Sequence, residues 1–175
     1  MTQSIPREGT PLAIGSIRCV VDVETTRRIF SRLATGSAER CVCDYCRNFV
    51  EVRDLMFPSL LKTALESVGI DWRKESEVVH YGRPHGTNHL YQVWVNFVGS
   101  VQNGDPFEMA PDRGTGPKVQ ITAYDDAVRY TPKAPEFNGH IVARIEAQAE
   151  LPWVLPMVDP EIETERQIAE IALRR

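Results

Sequence analysis

No strictly apolar run in this sequence of 175 residues is longer than three, as in Val93-Trp94-Val95. A membrane-spanning helix takes roughly 20 apolar residues in succession, and a secretory signal about 7–15. Neither is written here, so the expectation is a cytoplasmic chain without a membrane partner. Cations are scarce too, with 20 Lys and Arg against 24 Asp and Glu and a net charge of −4. Polyanion recognition needs concentrated positive charge, so nucleic acid is not expected as a partner. The G-x-S-x-G elbow, the phosphate-binding G-x-x-x-x-G-K-[ST] loop and H-E-x-x-H are all missing. Gly114-Thr-Gly116 is too short for a dinucleotide fingerprint. What is present is an ordinary globular balance, 42% hydrophobic and 25% charged, in a length that suits one domain spanning 1–175.

Cysteine is sparse, yet three of the four fall within six residues: Cys41, Cys43 and Cys46. A disulfide framework spaces its cysteines across long loops, and Cys41 and Cys43 are too close for an unstrained bridge. Thiolates suit zinc, and C-x-x-C lets two sulfurs grip one ion from a tight turn. A helix starting at Asp44 and the cation of Arg47 both favour thiolates here. A fourth protein ligand would close the site and make it structural. Water in that position would leave it open for Lewis-acid chemistry. Candidates for the fourth ligand are Cys19, Asp44, His80, His85, His89 and His140, with His80 and His89 flanking one hairpin and suited to proton transfer. A dithiol redox role for Cys43-Asp-Tyr-Cys46 stands beside the zinc reading. A binding module with a metal staple is a third alternative, its partner a small molecule or protein.

The chain reads as α+β, with a mainly antiparallel sheet, a short helical pair after the cysteines and a C-terminal helix. Pro6, Gly9, Pro11 and Gly15 predict an irregular arm over 1–15. Ile17, Cys19, Val21 and Val23 alternate as one face of a strand. Asp44 is the expected N-cap of a helix with Phe49, Val52 and Met56 on one stripe. Pro58 ends that helix and opens the next, which carries Leu61, Ala64, Leu65 and Val68 up to Gly69. Glu77–Tyr81 and His89–Val98 predict a hairpin, and the glycines and prolines of 99–117 a long loop. Strands are expected over Val119–Tyr124 and Ile141–Leu151, the latter with Ile141, Ile145 and Ala149 inward and Glu146 solvated. Asp159 caps a terminal helix with Arg174 and Arg175 near its end.

Cys41-x-Cys43-x-x-Cys46-Arg47-Asn48-Phe49, followed by Pro58, Leu61, Gly69-Ile70-Asp71, Lys74, Glu77, Gly82, Gly86, His89-Leu90-Tyr91, Trp94, Phe97 and Gly99, resembles a family of uncharacterised bacterial proteins. That resemblance implies a bacterial protein and no particular activity. Locally, Cys41, Cys43, Cys46 and Arg47 are similar to the stretch holding the catalytic zinc in glutathione-dependent formaldehyde-activating (Mss4-like) enzymes. Those enzymes carry a structural zinc on two further cysteine pairs, of which only Cys19 has a counterpart here. The local similarity therefore implies zinc chemistry at Cys41, Cys43 and Cys46 and leaves the substrate open.

Overall fold

The computed structural model describes residues 9–112, 114–125 and 135–173. Its centre is a seven-stranded antiparallel sheet, as the alternating segments imply. The strands are β1 (Thr10–Ile14), β2 (Ile17–Val21), β3 (Glu77–His80), β4 (His89–Asn103), β5 (Phe107–Met109), β6 (Val119–Asp125) and β7 (Val142–Leu151). They are ordered β1-β2-β4-β7-β6-β5, and β3 also pairs with β4. Because β7 takes one edge of β4 over Val98–His89, β3 and β2 must follow one another along the other edge. Everything between them, residues 22–76, leaves the sheet from β2 and returns to the same edge.

That excursion is helical: α1 (Val23–Arg32), α2 (Ser37–Arg40), α3 (Asp44–Met56) and α4 (Ser59–Ser67). The expected stripe of α3 is buried at Phe49, Val52 and Met56, and α4 buries Leu61 and Leu65. They belong to one core with Tyr91, Val93, Val95 and Phe97, which share one face of β4 and are all buried, and the Phe49 ring lies 5.7 Å from that of Tyr91. Gly69, at φ 81°, turns the chain out of the helical pair. The C-terminal helix α5 (Pro160–Leu173) starts where expected; Arg174 and Arg175 lie outside the described residues. No helix among the described residues is long and apolar enough to cross a membrane.

Four expectations change. Within the arm expected over 1–15, Thr10–Ile14 is a strand, closed onto β2 by the tight turn Gly15-Ser16 with Gly15 at φ 55°. Pro11 is tolerated because β1 is an edge strand, where a missing N–H breaks no ladder. The loop expected over 99–117 shrinks to the residues after Met109, since β4 continues to Asn103 and β5 follows. Gly99 and Gly104 mark close backbone approach: a Cβ would collide with Val20 O at the first and Ala123 O at the second. Val23 opens α1 instead of ending β2, with the Asp22 side chain accepting from Thr25 N at 3.0 Å. Its inward face includes Thr26, a buried polar residue whose Oγ1 accepts from Val98 N at 3.1 Å. Finally, Cys43 and not Asp44 is the N-cap of α3.

The outer face of the sheet is also less solvated than alternation implies. Glu146 is only 8% exposed, accepting from Gln92 Nε2 at 2.7 Å and pairing with Arg144 Nε at 2.8 Å. Arg144 in turn lies over the Trp94 ring at 4.3 Å. Ile145 faces the core at 1% exposure. Ile145→Ala is therefore expected to cost about 2–5 kcal/mol in urea unfolding. Glu146→Ala should cost about 1–3 kcal/mol, because it strips partners from buried polar groups. A silent Glu146→Ala would mean that this network contributes nothing to the fold.

Candidate metal centre

The three clustered thiols converge because the chain turns through Cys41-Val42-Cys43 directly into α3. Cys41 and Cys43 Sγ stand 3.2 Å apart, too far for a disulfide, and all three sulfurs lie within 4.8 Å of one another. A tetrahedral ion with Zn–S bonds of about 2.3 Å separates its sulfurs by roughly 3.8 Å, so small side-chain rotations suffice. Cys43 Sγ also accepts from Cys46 N at 3.4 Å, so the sulfur caps the helix. The N–H of Cys43, with the neighbouring thiols, holds Cys41 below the ordinary thiol range, while burial pushes Cys46 up. Cys41 and Cys43 are exposed and Cys46 half-buried. Beside them runs a groove of about 360 Å³ between Ser37, Arg40, Ser76, Glu77 and Val78.

The arm that carries Cys41 is pinned by a residue that sequence reasoning passed over. Glu75 Oε1 accepts from Ala38 N at 2.8 Å, and Glu75 O accepts from Ser37 N at 2.9 Å, so Glu75 fixes the start of α2. Gly36 leaves room beneath it: a Cβ there would meet the Glu75 carboxylate, which would have to shift. Arg53 holds Glu39 at 2.6 Å and reaches Glu75 Oε2 only at 3.8 Å. Burial raises the Glu75 carboxyl above its usual range, opposed first by the Ala38 N–H. The folded chain thus keeps a proton at pH values where the unfolded chain has released it. That stabilisation is complete below the ordinary glutamate value and is lost as the pH rises through the raised one. In Glu75→Gln the amide oxygen still accepts from Ala38 N. Urea melts across acidic pH should therefore show a flatter loss of stability with rising pH than in the parent chain; an unchanged slope would assign that loss to other groups.

The candidate fourth ligands are placed as follows. Cys19 is buried on β2 and does not join the cluster; burial, then the Asp125 carboxylate, push its thiol up to about 11. Asp44 pairs with Arg47 at 3.0 Å. His85 is exposed and contacts Glu150 at 2.8 Å, and His140 is exposed. His80 and His89 meet each other instead of the sulfurs, with Nε2 and Nδ1 2.8 Å apart. Their link to the cysteines is Tyr45, from within the motif, whose ring stacks on His80 at 4.0 Å and 14°. Burial, then His89, holds His80 down to about 4, so it is neutral at pH 7. Asn48, also within the motif, is fully buried and serves the fold: it donates to Pro152 O at 3.0 Å and accepts from Val154 N at 2.8 Å. Among the described residues, the chain thus holds a three-cysteine cluster able to take a metal ion, with no fourth Cys, His, Asp or Glu donor in the group.

Compared with family models, curated proteins and solved structures, the chain matches none.

Proposed function

We propose that Cys41, Cys43 and Cys46 bind one zinc ion whose fourth coordination position opens to the adjoining groove, and that the protein is a zinc-dependent lyase or hydrolase for a small polar substrate. The observation that carries this is the triangle of sulfurs, two exposed and one half-buried, with no fourth Cys, His, Asp or Glu donor grouped with it among the described residues. An ion held there supplies a Lewis acid to whatever enters the groove. Arg40 and Ser37 line that groove and offer a cation and a hydroxyl to an anionic or carbonyl-bearing molecule. The capped N-terminus of α3 adds its positive end behind the thiolates. The similarity of Cys41-x-Cys43-x-x-Cys46-Arg47 to a catalytic zinc stretch supports the same assignment.

Protein purified without added metal or a metal-affinity tag is expected to carry about one zinc per chain by elemental analysis. X-ray absorption should show three sulfurs and one light atom that exchanges when a small thiol is added. Four protein ligands unmoved by additives would make the centre a structural staple. A fully folded, metal-free chain would leave only a group of free thiols.

A further inference from the structure

We propose that His80, His89 and Glu161 form a second metal site, for a divalent ion of the first transition row and separate from the thiolate centre. The antiparallel register creates the histidine pair. His80, the last residue of β3, stands opposite Tyr91 of β4, and His89 lies two residues before Tyr91 on the same strand face. The two rings are therefore diagonal neighbours on the face that meets the helices. Glu161, in the first turn of α5, brings Oε1 to 3.6 Å from His80 Nε2. One donor atom from each of the three residues falls within 4.8 Å of the others.

Each donor is held in place by a contact behind it. Asp159 Oδ2 lies 2.8 Å from His89 Nε2 and is placed to accept its N–H, the tautomer in which Nδ1 is the nitrogen that turns a lone pair to His80. The other oxygen of Asp159 accepts from Glu161 N at 2.9 Å, so the residue that orients His89 also starts the helix bearing Glu161. His89 is fully buried and Asp159 nearly so. Tyr45, stacked on His80, sets the plane of that ring. A carboxylate behind a ligating histidine is the usual outer support of a metal site.

Counting lone pairs argues for a cation. If His80 Nε2 carries a proton, that single N–H faces two acceptors, His89 Nδ1 and a Glu161 oxygen. If it does not, the lone pairs of His80 Nε2, His89 Nδ1 and a Glu161 oxygen converge on one another. An ion bonded at about 2.1 Å separates neighbouring N and O ligands by roughly 3.0–3.4 Å, which lies between the 2.8 and 3.6 Å seen here. Two imidazoles and one carboxylate suit Fe(II), Mn(II), Co(II) or Zn(II) and leave coordination positions free. The surrounding charge agrees: Asp159, Glu161 and Glu165 outnumber Arg83, which lies 3.8 Å from Asp159 and 3.6 Å from Glu165.

Cobalt(II) added to the metal-free chain tests this, because sulfur-to-cobalt charge transfer marks the thiolate centre and is absent from a nitrogen–oxygen site. A cobalt equivalent without that band is expected, whether or not the thiolate centre fills. Its affinity should fall at least about tenfold in His80→Ala and in Glu161→Gln, while the charge-transfer band is unchanged. In the unaltered chain the same equivalent should shift and broaden the ring protons of His80 and His89 but not those of His140. The proposal is overturned if no such equivalent binds, if it survives both substitutions, or if the His80 and His89 signals stay put.

Discussion

Cys43→Ser is expected to come off purification without zinc, and the parent chain with it. Serine replaces a soft thiolate with a hard, protonated hydroxyl that two remaining sulfurs cannot compensate. What makes this substitution informative is the second job of the residue. Cys43 caps α3 through a sulfur that accepts from Cys46 N, and serine is a better cap than cysteine. In the presence of a chelator the two chains should therefore unfold at nearly the same urea concentration, with the variant no weaker. With zinc at 100 times its dissociation constant the parent should gain about 2.7 kcal/mol and the variant almost nothing. A variant that retains its zinc would remove Cys43 from the centre. One that is equally destabilised with and without metal would show that the sulfur matters to the helix alone.

Phe49→Ala should produce the largest loss of stability, about 3–5 kcal/mol. Phe49 has no exposed surface and sits on the inward stripe of α3, its ring 5.7 Å from that of Tyr91 at the middle of the sheet. It is the peg by which the cysteine-bearing helix is seated on β4. Removing it leaves a cavity that α3 can relieve only by shifting, and Cys46 shifts with it. Zinc affinity should fall along with stability, as judged by competition with a chelating dye. Loss of stability with unaltered affinity would show that Cys41–Cys46 keeps its shape without the sheet.

Periodicity explains which parts of this architecture were legible. β4, β6 and β7 repeat every second residue, and α3 and α4 every third or fourth, so class, helical pair and most of the sheet follow from the text. The errors fall where one residue type serves two ends. Gly99 and Gly104 signal a loop by composition, yet they let β4 pass close to β2 and β6. Thr26 hides the inward stripe of α1 because it is polar; it is buried to satisfy one backbone N–H of β4. Glu146 reads as solvent-facing because its partners, Gln92 and Arg144, are brought to it by pairing and packing.

The candidate site divides the same way. Cys41, Cys43 and Cys46 are neighbours in sequence, so their convergence needs only a turn. His80 and His89 flank a hairpin and were legible as a pair. Asp159 and Glu161 reach them from the far end of the chain, and Glu75 reaches Ala38 across the helical excursion. Such meetings depend on strand order and the docking of α5, neither of which leaves a periodic trace.

The placement of the three tryptophans gives the molecule an optical probe of its own. Trp72 is enclosed, with Lys62 and Arg73 over its ring, and Trp94 lies beneath Arg144 on the outer face of the sheet. Trp153 alone of the three stands beside the histidine pair, its ring 5.3 Å from His89 and 6.0 Å from Tyr45. Through Tyr45 it adjoins the cysteine turn, and through His89 the histidine pair. With Trp72 and Trp94 replaced by phenylalanine, the remaining fluorescence would come from a single indole beside both proposed metal sites. Paramagnetic ions would quench it and zinc would shift it, so occupancy could be followed at micromolar protein without an added dye.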